Sequence, residues 1–301
     1  MTRLFPALLL VAACVEPSTK ASSSPIIGGT LVTANEFPTV VALESSPGNW
    51  FCTGTLIDKN WVLTAAHCIQ GAPNGGVKIR IDDLDVNDAT GGAQVLVAEK
   101  YSHPGYGAEW GEDLALLKLA TPVDRQVTPI HRTPIAFNTE VKQVGYGVTD
   151  DQGSGGGILR KLTEHNADCA MTGDSMISND EVLCFDPADG GGCYGDSGGP
   201  TFVDVGGQLE VVGVTSGGTG QGCTDSWGIW TLVPAELEWI DGVMATQPPM
   251  PDPMPEPEPE PMPEPMPEPK DDDGGCSTTS GGQGAALALM LLAVLRRRRR
   301  R

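Results

Sequence analysis

The chain has 301 residues, 40% of them hydrophobic, enough to build one large catalytic domain and still leave tails. Its formal charge is −20, and the six arginines at 296–301 mask a body that is more acidic still. Such a surface repels phosphate backbones, and no basic stripe interrupts it, so nucleic acid is excluded as a partner.

In chain order, residues 1–25 read as an export signal and propeptide. Arg3 gives a positive start, Leu4–Ala13 an apolar run, and Val11-Ala12-Ala13-Cys14 a small-residue cleavage site ending in cysteine. That ending resembles a bacterial lipobox, whose cysteine carries lipid; an ordinary signal peptide cut nearby is the alternative. From 26 to 246 short apolar runs alternate with Gly, Asn, Asp and Pro, as at Thr39–Leu43, Gly54–Ile57, Trp61–Thr64, Leu114–Leu119, Val141–Tyr146, Glu210–Val214 and Gly228–Val233. Many short strands with frequent turns predict an all-β antiparallel sandwich or barrel. Pro234 followed by Ala235–Met244, acidic early, predicts one helix at the end of this domain.

At Gln247 the composition changes. Within a stalk of residues 247–275, proline takes almost every second position from Pro248 to Pro269 between Glu, Met and Asp, which predicts an extended acidic run reaching about 70 Å. Residues 276–301 carry Cys276, the apolar run Ala285–Leu295 and the arginine cluster. As a helix that run rises only about 16 Å, short for a bilayer core of roughly 30 Å. With Gly274-Gly275 before the cysteine, this tail resembles the C-terminal sorting tags of myxobacterial surface proteins, and a simple tail anchor is the alternative.

Eight cysteines in an exported chain predict disulfides. Six of them (Cys52, Cys68, Cys169, Cys184, Cys193, Cys223) lie in the central domain, and their spacing alone leaves about 15 pairings open. No Cys-x-x-Cys pair or His/Cys cluster marks a metal site.

Three segments carry chemistry: Trp61-Val62-Leu63-Thr64-Ala65-Ala66-His67-Cys68, Glu112-Asp113-Leu114-Ala115-Leu116-Leu117-Lys118-Leu119, and Gly192-Cys193-Tyr194-Gly195-Asp196-Ser197-Gly198-Gly199-Pro200. A serine hydroxyl is hardly ionised at neutral pH. It attacks a carbonyl only if an imidazole takes its proton, and a carboxylate holds that imidazole in the right tautomer. Gly-x-Ser-x-Gly also occurs at the nucleophile elbow of α/β-hydrolases, but there the order is Ser, acid, His, whereas here His67 and Asp113 come first.

Over residues 26–245 these segments resemble the trypsin/chymotrypsin family of serine proteases. The resemblance implies two antiparallel six-stranded β-barrels with a C-terminal helix and a peptide-cleaving triad of His67, Asp113 and Ser197. It also implies an oxyanion hole from the N–H groups of Gly195 and Ser197. It pairs Cys52 with Cys68, Cys169 with Cys184, and Cys193 with Cys223. Ile26-Ile27-Gly28-Gly29 resembles the family's mature N-terminus, whose freed amine pairs with Asp196. Pro25 departs from the basic residue usual before such a cut, which implies either a different activating protease or a first cut at Lys20 followed by trimming. Gly191, Ser216, Gly218 and Gly228 resemble the walls of the substrate pocket. Glycine at 191 and 228 leaves that pocket open and uncharged, favouring cleavage after apolar or aromatic residues. Gly217 replaces a tryptophan usual in the family, weakening the adjoining apolar subsite. The acidic loop Asp82, Asp83, Asp85 and Asp88 falls where some relatives bind calcium, whose oxygen ligands it could supply; a solvated loop is the alternative. His103, in a loop common in the family, reads as structural. A second functional class, a catalytically silent binding module displayed on a stalk, predicts a replaced triad residue, and none is replaced. Protein or peptide substrates, an activating protease and surface attachment are the expected partners.

Overall fold

The structure is a computed structural model that describes residues 26–246 except 74 and 109. The signal, stalk and sorting-tail expectations therefore lie outside the described residues. Strands β2 (Val40–Ser46), β3 (Asn49–Asp58), β4 (Trp61–Thr64), β5 (Lys78–Ile81), β6 (Ala93–Ser102) and β7 (Ala115–Leu119) close into a barrel in the order β2-β3-β4-β7-β6-β5. Seven more strands form the second sheet: β1 (Thr30–Leu31), β8 (Glu140–Gly145), β9 (Arg160–His165), β10 (Val182–Phe185), β11 (Pro200–Val205), β12 (Gln208–Gly218) and β13 (Gly228–Leu232). Their order is β1-β9-β8-β11-β12-β13-β10, and all strand pairs in both sheets are antiparallel. The expected all-β, two-sheet architecture is present. The second sheet differs from the expected six-stranded barrel: it has seven strands in an open order ending at β1 and β10, the two-residue β1 pairing with β9.

Every buried residue of β4 and β7 but one is Val, Leu, Ala or Trp, residues that fill a pleated surface buried on both faces. The predicted helix starts later than expected: Val233–Glu236 forms a 3₁₀ turn and α1 runs Leu237–Thr246. Pro234 sits in that first turn, where its missing N–H costs no helical bond. All three cysteine pairings implied by the resemblance are formed, with Cα–Cα separations of 6.2, 5.2 and 5.3 Å. Each closed loop adds roughly 2–4 kcal/mol of stability.

The second sheet buries polar groups that its sequence pattern disguises. Glu164 is 4% exposed, and neither carboxylate oxygen has a hydrogen-bond partner among the described residues. Burial, with a smaller push from the charge of Asp189, raises its pKa to about 8. The unfolded chain releases this proton near pH 4.5 and the folded chain near 8, so stability declines as pH rises through that window. Replacing Glu164 by Gln should remove that decline. The melting temperature of Glu164→Gln should exceed the parent's by several degrees at pH 9 and by much less at pH 5. Equal differences at the two pH values would show that Glu164 ionises freely in the folded protein.

The acidic loop is held by its own neighbours. Asp82 pairs with Arg125 at 2.7 Å, and Asp83 lies 3.5 Å from the buried Arg80, which also pairs with Glu44 at 2.7 Å. Asp85 accepts from the Asn87 side chain at 3.1 Å and Asp88 from the Thr90 hydroxyl at 2.7 Å. Among the described residues, no three of these carboxylates converge on one point.

Candidate active site

The pairing of β4 with β7 explains how residues 67 and 113 meet. Thr64, at the end of β4, stands opposite Ala115, at the start of β7. The three residues after Thr64 and the two before Ala115 therefore leave the barrel at the same rim, bringing His67 to Asp113. His67 Nδ1 lies 2.6 Å from Asp113 Oδ2, and the His67 backbone N–H donates to Asp113 Oδ1 at 2.9 Å. Ser216, on β12 of the other sheet, donates its hydroxyl to Asp113 Oδ2 at 2.7 Å.

Burial opposes ionisation of Asp113, but hydrogen bonds and charge from His67, with the Ser216 hydroxyl, outweigh it and hold the carboxyl below its usual range. A carboxylate so fixed stays ionised at neutral pH, keeps the proton of the neutral imidazole on Nδ1 and leaves Nε2 as a base.

Ser197 lies in the turn entering β11. That turn is tied to both sheets: Thr53 N–H, on β3, donates to the Ser197 carbonyl at 2.9 Å, and Gly198 N–H to the Thr215 carbonyl at 2.8 Å. The Ser197 carbonyl is also 3.6 Å from Sγ of Cys68, the residue after His67. One cavity is lined by Ser197 and its neighbour by His67 and Asp113, and the two share Ser216, Gly217 and Gly218. The Ser197 hydroxyl and His67 Nε2 are not hydrogen-bonded to each other; Nε2 lies 3.7 Å from Cys68 Sγ. Hydrogen bonds between a nucleophile and its base are often long without substrate and tighten when substrate binds.

Neither the Gly195 nor the Ser197 N–H is taken up by another described residue. Gly195 has φ +99°, and a Cβ there would stand 2.3 Å from Cζ3 of Trp50. Only glycine both adopts that backbone and leaves room for the indole.

Residues 26–240 match a family model described as Trypsin. The chain belongs to the trypsin family. It is 33% identical over 245 residues to chymotrypsin-like elastase family member 1 of the dog, covering 75% of this chain and 94% of that protein. The bovine and human proteins of the same name are each 32% identical, with 75% of this chain covered and 91% and 94% of theirs. This trypsin-family chain is a serine endopeptidase, and its three disulfides fit an extracellular protein.

The remaining expected site residues divide. Ser216, Gly218 and Gly228 line a cavity of about 220 Å³ next to Ser197. Gly191 does not line it; its backbone exchanges hydrogen bonds with Ile27 at 3.1 and 3.0 Å. Three tryptophans were not anticipated. Trp50 packs against the Gly195 turn, and Trp230 stands among the pocket glycines. Trp110 reaches from the turn before Asp113 to 3.9 Å from where a Gly217 Cβ would be. Trp110, Tyr106 and Met176 line the same cavity as Gly217. His103 is structural as expected, with Nε2 3.1 Å from Glu236 and its ring edge-on to Trp239 at 5.0 Å.

Ile26 and Asp196 are both buried. Ile26 is 1% exposed at φ +41°, an outlier for a β-branched residue. Asp196 is buried and accepts from the N–H groups of Gly147 at 2.7 Å and Cys193 at 2.9 Å. Burial nevertheless pushes its pKa up to about 6.

Proposed function

We propose that the domain cleaves peptide bonds through an acyl-enzyme on Ser197, after side chains that are apolar, once it has been activated by a cut between Pro25 and Ile26. Ser197 attacks the carbonyl while His67 Nε2 takes the hydroxyl proton and then gives it to the leaving amine. Asp113 orients the ring and balances the imidazolium, and the N–H groups of Gly195 and Ser197 receive the oxyanion. The observation that carries this reading is the short contact between His67 and Asp113, anchored by Ser216, at the rim beside the Ser197 turn.

The pocket beside Ser197 supports the apolar preference, since no Asp, Glu, Lys or Arg lines it. An ionised lysine or arginine buried there would lack a partner and lose several kcal/mol. Two observations support activation at Ile26. The positive φ of this residue exists only while a carbonyl precedes it, and cleavage removes that strain. The α-ammonium so released would give the buried Asp196 a positive partner beyond the charge of Arg160, which does not offset its burial. Export and surface display rest on the sequence features of the two tails. In a profile of peptides cut by the protein matured at Ile26, apolar residues should dominate the position before the scissile bond. A profile dominated by arginine or lysine would refute the apolar preference.

A further inference from the structure

Glycine at 191, 192 and 228 suggests a deep, empty pocket, but the space is filled. Gly228 and Trp230 are two residues apart on β13, so both side-chain directions point to the same face. The indole leans back along the strand over Gly228: a Cβ there would lie 2.0 Å from Cζ3 and 2.5 Å from Cη2. The same edge of the ring passes the other two glycines, 3.1 Å from a Cβ at Gly192 (to Cζ2) and 4.0 Å from one at Gly191 (to Cη2). One six-membered ring thus occupies the place of a side chain at Gly228 and crowds that at Gly192, while Gly191, outside the cavity lining, is only in ordinary contact with it.

The ring is also fixed. It is 1% exposed, and Phe185 meets it edge-to-face with centroids 4.7 Å apart and planes at 72°. Leu183 and Thr215 are its partners on the strands to either side. Its Nε1–H is buried with no hydrogen-bond partner among the described residues, so the edge turned toward the pocket glycines is hydrocarbon.

We propose that Trp230 is the floor of the primary substrate pocket and limits the side chain preceding the cleaved bond to medium-length apolar groups, Leu or Met, against Tyr and Trp. This rests on the reading of Ser197 as nucleophile and of the adjoining cavity as the substrate pocket. A leucine or methionine ends before the indole edge. The longer tyrosine carries its hydroxyl into that edge, where a hydrocarbon surface leaves it unpartnered, and the tryptophan side chain is too large for the shortened cavity. The pocket glycines and Trp230 therefore act together: glycine at 228 is required because the indole lies where any Cβ would be.

The test uses the matured protein and a peptide series that differs only at the residue before the cleaved bond: Leu, Met, Tyr, Trp and Arg. Rates are expressed per active site, counted with a fluorophosphonate, so that misfolded molecules do not enter the ratio. The parent should show kcat/KM for Leu or Met about 10- to 100-fold above Tyr and Trp. Trp230→Phe should narrow that ratio and Trp230→Ala should abolish or invert it, by lengthening the pocket. A parent that cleaves Tyr as fast as Leu overturns the proposal, as does a ratio that neither variant changes. If both variants fail to label, the parent's own ratio decides. Cleavage after Arg alone would overturn the uncharged pocket and the proposal with it. A parent that neither labels nor cleaves would instead overturn the catalytic reading beneath both.

Discussion

Replacing Asp113 by Asn should lower kcat on a peptide substrate by about 10⁴-fold at neutral pH while leaving the fold intact. The reason lies in the hydrogen bonds that this carboxylate receives. Oδ2 faces both His67 Nδ1 at 2.6 Å and the Ser216 hydroxyl at 2.7 Å, and Oδ1 accepts the His67 backbone N–H at 2.9 Å. An amide supplies one acceptor and one donor. If its oxygen stays on the His67 backbone, its NH₂ confronts Nδ1, and the imidazole must place its proton on Nε2. The ring then offers Ser197 a donor instead of a base. Circular dichroism and thermal melting should match the parent closely, because the substituted atom keeps its volume. A loss of less than tenfold would mean that Asp113 does not orient the catalytic base.

The second large effect is expected at the activation pair. Protein kept uncut at Pro25–Ile26, for instance by substitution at the cleaved bond, should hydrolyse peptides about two to three orders of magnitude more slowly than the matured form. Asp196→Asn in the matured form should fall by a similar factor. Removing one partner of a buried ion pair costs about 3–5 kcal/mol, and here that cost falls on the turn carrying Gly195 and Ser197. In the uncut chain the pKa of Asp196 is raised from 3.8 to about 6, so its ionisation destabilises the folded turn as pH rises through that window. Once the ammonium of Ile26 is present the sign reverses: the carboxylate is favoured, and the pair is lost when acid protonates Asp196. The matured form should therefore lose activity in acid, as Asp196 takes up a proton. N-terminal sequencing gives the check, since an active form that starts anywhere but Ile26 contradicts this account.

The chemistry was legible in the sequence because it is carried by contiguous segments. His67, Asp113 and Ser197 each stand within a short motif whose neighbours are fixed by strand ends and turns, and all three disulfide pairings followed from the same resemblance. Strands such as β4 and β7 announced themselves as unbroken apolar runs. Strand β9 did not, because Arg160 and Glu164 occupy inward positions where the alternating pattern calls for apolar residues. Nor did β6, most of whose residues face solvent or are only partly covered. The shape of the pocket was least accessible. Glycine at 228 by itself suggests empty space, yet whether space is empty depends on which side chain leans into it. That the indole of Trp230 does so follows from strand direction and from Phe185 behind it, which come into contact only through the pairing of β10 with β13. Trp110 is a similar case. Its neighbour in space, Gly217, lies on the other sheet, so no local pattern joins them.

All of this depends on the hydroxyl of one serine becoming nucleophilic where the imidazole, the carboxylate and two backbone N–H groups meet. The most direct measurement is to expose the matured protein to a fluorophosphonate and locate the adduct by peptide mass mapping. The account predicts one phosphonylated residue, Ser197, with labelling abolished in Ser197→Ala and strongly slowed in His67→Ala. Full hydrolytic activity in a protein that takes no label at Ser197, or an adduct on any other serine, would contradict it.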